Sequence, residues 1–375
     1  MPLISPENTL YLWVALFAVV AFGMWAEKRA WGKKLGATVI VLILGFILGN
    51  AGVLPNAAPL YGTVWGMLVP LAIPLLLFQA DIRTIVKESG PTLAAFVIGA
   101  VGTIAGVMAA FALIALPAEA ANLAGVFAAT FIGGGMNFVA TSQSLGLSDS
   151  ALLLPAAAAD NIVTILFLFV LAMAPSVAFF ARRFPAARDG KTAPAAKTAD
   201  TLKTVDYGQA VLALFIAFVL VAAGRGLEDA LALQGSSILF TTAFTIVLAT
   251  AAPKFCRGLG DAFGLGMVLM LIFFTTLGAS ASVAALVDTA PVLFLFAMIV
   301  VAVHFAVILV IGRIAKLTLP EILTGSNACI LGPATAAGLA AAQGWKSLVT
   351  PGILVGTLGY AIGTFIGVGL AGFLG

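Results

Sequence analysis

The sequence predicts an all-α polytopic membrane protein arranged as an inverted repeat, with five transmembrane helices and one re-entrant hairpin in each half. Three observations carry that prediction. The chain of 375 residues is 62% hydrophobic and only 9% charged, with a mean hydropathy of +1.17, far more apolar than a water-soluble domain. Two apolar stretches are broken at their middles by helix-breaking kernels, Ile132-Gly133-Gly134-Gly135-Met136-Asn137 and Ile330-Leu331-Gly332-Pro333-Ala334-Thr335. The Lys and Arg residues gather on one side of a membrane only if those two stretches turn back instead of crossing.

Unbroken apolar runs predict spanning helices at about residues 10–26, 35–50, 58–78, 91–116, 150–175, 207–224, 236–252, 262–279, 289–312 and 348–373. At 1.5 Å per residue, about 20 residues cross a hydrocarbon core of roughly 30 Å. None of the runs shows the period-two alternation of a β-barrel strand, the other backbone-satisfying solution in lipid. The first run lacks a basic lead and an obvious cleavage site, so it is expected to stay as a span rather than leave as a signal peptide. The interrupted segments, 121–146 and 319–344, have arms of about 10–13 residues, too short to span and suited to a hairpin.

Charge sets the topology. If all twelve segments cross, the 18 Lys and Arg divide almost evenly between the two faces. If the interrupted segments are re-entrant, every Lys and Arg except Arg225 shares one face, as the positive-inside rule requires of the cytoplasmic side. Both termini are then extracytoplasmic, and the Ala-, Pro-, Lys- and Thr-rich stretch 181–205 is a cytoplasmic linker. The expected organisation is a first repeat at 1–180, the linker, and an inverted second repeat at 206–375. Gly66-Met67 in the third span of one half matches Gly266-Met267 in the other, and Pro155 matches Pro351. An offset of 198 residues superposes Gly134 on Gly332 and Asn137 on Thr335.

Paired interruptions in corresponding positions of two halves point to the binding site of a secondary transporter. Non-helical backbone at membrane depth persists only where it is buried in protein or lines a cavity. The candidate solute groups are therefore Gly133, Gly134, Gly135, Asn137 and Thr141 at the first kernel, with Ser144 continuing the polar stripe, and Ser326, Asn327, Gly332 and Thr335 at the second. Asp160 is the one carboxylate well inside an uninterrupted span, and a charge at that depth is a functional hypothesis by default. Asn161 is adjacent and Thr164 lies one turn on. Together with Asn137 these form the candidate cation site, with Na+ favoured over H+ because carboxylate, amide and carbonyl oxygens suit it. His304, the single histidine, and Glu321 are read as structural.

Other classes fare worse. A net charge of +3 with no basic, aromatic-interleaved block argues against nucleic acid. Cys256 and Cys329 have neither disulfide nor zinc spacing, so no cofactor is expected beyond the coupling ion. Gly258-Leu259-Gly260-Asp261 matches the Gly-x-Gly-Asp pattern of intramembrane aspartyl proteases, with Asp206 as a dyad partner. In a chain of 40 glycines that match carries little weight, and the chain is expected not to be an enzyme.

The order of spans, the Gly133–Ala140 kernel and the Asp160-Asn161 pair resemble the YjcL-like bacterial membrane proteins, a family labelled as a domain of unknown function, over essentially the whole chain. That family is similar in layout to sodium-coupled glutamate and citrate symporters, and more distantly to bile-acid symporters and sodium/proton antiporters. In the antiporters an Asn-Asp or Asp-Asp pair follows the first broken helix, whereas here the order is Asp160-Asn161. Gly332-Pro333 stands where the symporters have Gly-Gly. The resemblance implies a scaffold and a moving part with elevator-type motion, commonly in a homodimer. The expected function is Na+-coupled transport of a small organic solute, an organic anion or amino-acid-like molecule, across the bacterial cytoplasmic membrane. The alternative is a cation/proton antiporter built on Asp160.

Overall fold

A run of apolar residues with no hydrogen-bonding partner in lipid must satisfy its own backbone, and the chain does so with helices throughout. The computed structural model describes residues 2–29, 32, 36–116, 119–147, 151–185, 207–233, 236–280 and 283–375. Among them there is no strand. Lys33, Lys34, Asp206 and all of the expected linker beyond residue 185 lie outside the described residues. We number the helices α1 (Thr9–Glu27), α2 (Ala37–Asn50), α3 (Pro59–Leu77), α4 (Ile82–Glu88), α5 (Gly90–Leu113), α6 (Ala120–Gly133), α7 (Gly135–Ser144) and α8 (Leu153–Met173). The second half supplies α9 (Tyr207–Leu231), α10 (Ser237–Ala251), α11 (Pro253–Arg257), α12 (Ala262–Ala279), α13 (Val283–Ile314), α14 (Leu319–Ile330), α15 (Pro333–Ala342) and α16 (Val349–Leu374).

Among the described residues eight helices are long and apolar enough to cross a membrane, so this is a multi-pass membrane protein. The described residues have a helix at each of the ten expected spans, eight of that length and two shorter. Helices α2 and α10 have 14 and 15 residues, about 21–23 Å at 1.5 Å per residue and short of a hydrocarbon core. A left-handed Gly36 opens α2, and Pro253 follows the end of α10.

Helix α3 carries a π turn at Val64–Leu68, where the Val69 N–H reaches back to the Val64 carbonyl. Such a turn frees carbonyls from the helical ladder. Gln143 Nε2 takes the Trp65 carbonyl at 2.9 Å and the Arg225 guanidinium takes that of Gly66.

Helices α6 and α7 fold back on each other at Gly134, where φ is +73°. The contacts of α16 show this directly. A Cβ added at Gly367 would lie 2.5 Å from the Gly125 carbonyl oxygen on one arm and 3.2 Å from Thr141 Cγ2 on the other. Helices α14 and α15 fold back likewise at Gly332, where φ is +94°. A Cβ on Gly352 would meet Thr324 on one arm at 2.9 Å and Ala336 on the other at 3.3 Å. The hairpins thus lie against opposite ends of α16, and their tips meet near its middle. A Cβ on Gly134 would be 3.6 Å from the Leu331 carbonyl oxygen. Lipid offers no hydrophobic drive for helix association, so close backbone approach through small residues takes its place. Gly352, Gly356, Gly359, Gly363 and Gly367 supply it along one face of α16.

The packing sorts the helices into two sets with sparse contacts between them. Helices α1, α2, α3, α9, α10 and α12 pack together, as when Gly278 of α12 seats on Leu42 and Phe46 of α2. The second set comprises α5–α8 and α13–α16. Each set draws helices from both halves of the sequence.

Candidate functional site

Helix α8 runs through the second set with Asp160 about two turns from its start, 8% exposed. A buried carboxylate is costly unless hydrogen-bonded or paired. Asp160 Oδ2 accepts from Thr130 Oγ1 at 3.2 Å and Oδ1 from Thr164 Oγ1 at 3.4 Å. Thr130 sits in the last turn of α6, so this bond joins α8 to the first hairpin beside its tip. An ionised carboxylate offers about four acceptor positions, and two long bonds leave capacity for a ligand.

That capacity faces a cavity of about 330 Å³ lined by Asp160, Asn161, Thr164, Thr130, Gly135 and Thr335 together with Tyr360. Asn161 Nδ2 donates to the Ala157 carbonyl at 2.7 Å, which leaves its Oδ1 for the cavity. Thr335 Oγ1 donates to the Gly332 carbonyl at 3.0 Å, fixing its rotamer at the second tip. Tyr360 lies between the tips: added Cβ atoms on Gly134 and Gly332 would sit 3.6 and 3.1 Å from its ring edge and hydroxyl. The opposite wall, Leu76, Met267, Met270 and Phe274, comes from α3 and α12 of the first set and is apolar. The cavity reaches Glu27, Gly36 and Thr38, at the end of the bundle that carries Lys28 and Arg29.

A second cavity, about 710 Å³, lies toward the other end and is lined by Asn56, Trp65, Gly66, Gln143, Leu154 and Ser280. Trp65 packs edge-on to Phe273 at 4.7 Å between ring centroids, and Phe273 on Phe274 at 5.2 Å. This aromatic layer lies where the walls of the two cavities adjoin.

The structure therefore brings together Asp160, Asn161, Thr164, Gly135 and Thr335, drawn from three separate helices. It does not bring the remaining expected residues to the cavity. Asn137 is 1% exposed and its amide is used: Nδ2 donates to the Gly133 and Gly359 carbonyls at 2.8 and 3.2 Å, and Oδ1 accepts from Thr364 at 2.7 Å. It fastens the first hairpin to α16. Thr141 faces Gly367 of α16 and Asn137 faces Gly363, so both turn toward the glycine face and away from the cavity. Gly133 abuts the Gly359 carbonyl, and Gly134 and Gly332 shape the tips without lining the cavity. Ser326 and Asn327 are fully buried one turn before the second tip. Ser326 bonds His304, and neither amide atom of Asn327 has a partner.

Thr130 and Tyr360 escaped the sequence reading. Thr130 precedes the Gly134 break by one helical turn, and Tyr360 follows the Gly359 of a four-residue glycine stripe. Those spacings are the signals that could have found them. Asp261 is an exposed N-cap of α12 that accepts from the Gly264 N–H at 3.0 Å. Among the described residues no group of three or more His, Cys, Asp and Glu could hold a metal ion. Carboxylate, amide and hydroxyl oxygens like those around Asp160 suit hard cations rather than soft ones.

Fold and cavity define a polytopic helical membrane protein in which the Asp160 carboxylate lies beside two broken-helix tips. The model of the family described as "Protein of unknown function (DUF819)" matches residues 14–375, and the chain belongs to that family. It is 34% identical to "Uncharacterized membrane protein YjcL" of Bacillus subtilis (strain 168), over 97% of this chain and 96% of that one.

Proposed function

We propose that the protein is an ion-coupled secondary transporter, not an enzyme, moving a small organic solute across the bacterial cytoplasmic membrane with Na+ as the coupling ion. One observation carries the reading. The polar groups that reach the cavity at depth come from the second helix set, around two helix breaks, and face an apolar wall from the first set. A site built on one body and sealed by a smooth wall on another can be carried past that wall with little cost in broken polar contacts. This supports elevator-type motion of the second set against the first, in an inverted repeat with re-entrant hairpins entering from opposite faces. In this reading the Asp160 cavity is open to the cytoplasm, both termini are extracytoplasmic, and the first set supplies the contacts of a homodimer. Na+ sits on Asp160, Thr130, Thr164 and Asn161 Oδ1, and the solute lies beside it against Gly135, Thr335 and Tyr360.

A thermal-shift screen of small organic solutes in NaCl and KCl, followed by counterflow of each stabilising solute in proteoliposomes, tests the proposal. Flux that needs Na+ and disappears in Asp160→Asn is expected. Flux indifferent to both would sink it. Cation/proton antiport uses the same carboxylate, and is favoured by the lack of any basic side chain among the described residues lining the cavity. Cation-driven proton movement with no organic solute present would identify it.

A further inference from the structure

His304 lies in α13, fully buried, outside the cavity lining. Its Nδ1 is 2.8 Å from the Gly99 carbonyl oxygen, which can only accept, so Nδ1 carries hydrogen and donates. The same N–H lies 2.9 Å from Thr103 Oγ1, whose own hydroxyl donates to the Phe131 carbonyl at 3.2 Å. That carbonyl accepts a second bond, from Cys329 Sγ at 3.3 Å. On the far side of the ring, Nε2 is 2.8 Å from Ser326 Oγ. One face of the ring meets Phe167, two turns along α8 from Asp160, at 5.9 Å between centroids.

A single imidazole thus ties α5 and α13 to the first arm of the second hairpin, and through Thr103 to the first hairpin. The ends of this network adjoin the site. Phe131 follows Thr130, which holds Asp160. Ser326 and Cys329 precede Ile330 and Leu331, which line the cavity at the second tip. The network crosses from one hairpin to the other behind the tips, with every member bonded in a setting where a lost partner is costly.

We propose that His304 is a positioning residue whose hydrogen-bond network transmits cation occupancy at Asp160 from the first hairpin to the second, setting the second tip for the solute. This rests on the cation site proposed above. Physically it requires that the bonds behind the tips have two arrangements and that a cation held through Thr130 favours one of them.

Hydrogen–deuterium exchange of the purified full-length protein in NaCl against KCl, at equal ionic strength, tests it. In the unmodified protein Na+ is expected to slow exchange in segments 157–165, 128–138 and 325–335, by about fivefold or more for a coupling of ordinary size. In Ser326→Ala and in His304→Asn the slowing persists at 157–165 and vanishes at 325–335, while Ser326→Thr, which keeps the hydroxyl, restores it. A staple that merely holds helices together would raise exchange in both salts and leave the Na+ effect at 325–335 intact. That result, or an unmodified protein protected at 157–165 alone, overturns the proposal and leaves the cation site standing. No Na+ protection at 157–165 in the unmodified protein removes the cation site and this inference together.

Discussion

At the scale of single residues, groups that line the Asp160 cavity are distinct from groups that hold the scaffold. Thr130 and Asn137 lie on the two arms of the same hairpin, both buried, and their roles differ. Thr130→Val removes a hydrogen bond to a charged group, worth about 1.5–3 kcal/mol. Sodium affinity should fall by roughly ten- to a hundredfold, and the unfolding temperature should fall as well, since the same bond joins α6 to α8. Asn137→Ala removes the amide that fastens the first hairpin to the Gly359 carbonyl and the Thr364 hydroxyl of α16. It should destabilise the protein by about 1–3 kcal/mol and change sodium affinity less than Thr130→Val. Sodium titration and thermal unfolding of the two variants side by side check the pair. Asp160 was legible in the sequence because a carboxylate deep in an apolar span needs a reason. Asn137 was legible as important and its partner was not. An amide one turn past a helix break serves a ligand or a neighbouring backbone equally well, and only the approach of α16 decides between them.

At the scale of elements, the hairpins depend on two kinds of glycine. Gly134 needs its φ of +73° with ψ −179°, backbone that essentially only glycine adopts, so Gly134→Ala bears about 1–3 kcal/mol of backbone strain, while the added Cβ would meet nothing closer than 3.6 Å. Gly367→Ala keeps a helical backbone but would press a Cβ to 2.5 Å from the Gly125 carbonyl oxygen. Backbone cannot yield there without moving the whole arm, so its unfolding temperature should drop further than that of Gly134→Ala. Thermal unfolding in detergent ranks them, and the reverse order would contradict the packing of α6 on α16. The breaks themselves were plain in the sequence, because Gly-Gly-Gly and Gly-Pro cannot continue a helix. The short helices α2 and α10 were plain too, at 35–50 and 236–252 in the sequence against Ala37–Asn50 and Ser237–Ala251 in the structure. The direction of the polar stripe on α7 was hidden. Periodicity shows which residues share a face and says nothing about what the face meets.

At the scale of the whole molecule, two helix sets drawn from both halves share one cavity, and a bond bridges them at its far end. Gln143 of the first hairpin donates to the Trp65 carbonyl of α3, and relative movement of the sets must break that contact. Cysteines at positions 143 and 65, in a background lacking Cys256 and Cys329, should arrest solute flux on oxidation and release it on reduction. Unimpaired flux through the cross-linked protein would rule out sliding of the sets. The sorting of helices into sets could not be read from the chain, because hydropathy shows where helices lie and not which of them pack together.

The central claim is that Asp160 holds a sodium ion, and equilibrium binding of radioactive sodium to the purified protein tests it most directly. The account predicts saturable binding that is lost in Asp160→Asn and retained in Ser326→Ala. Saturable binding of equal affinity in Asp160→Asn, or none in the unmodified protein, would contradict it.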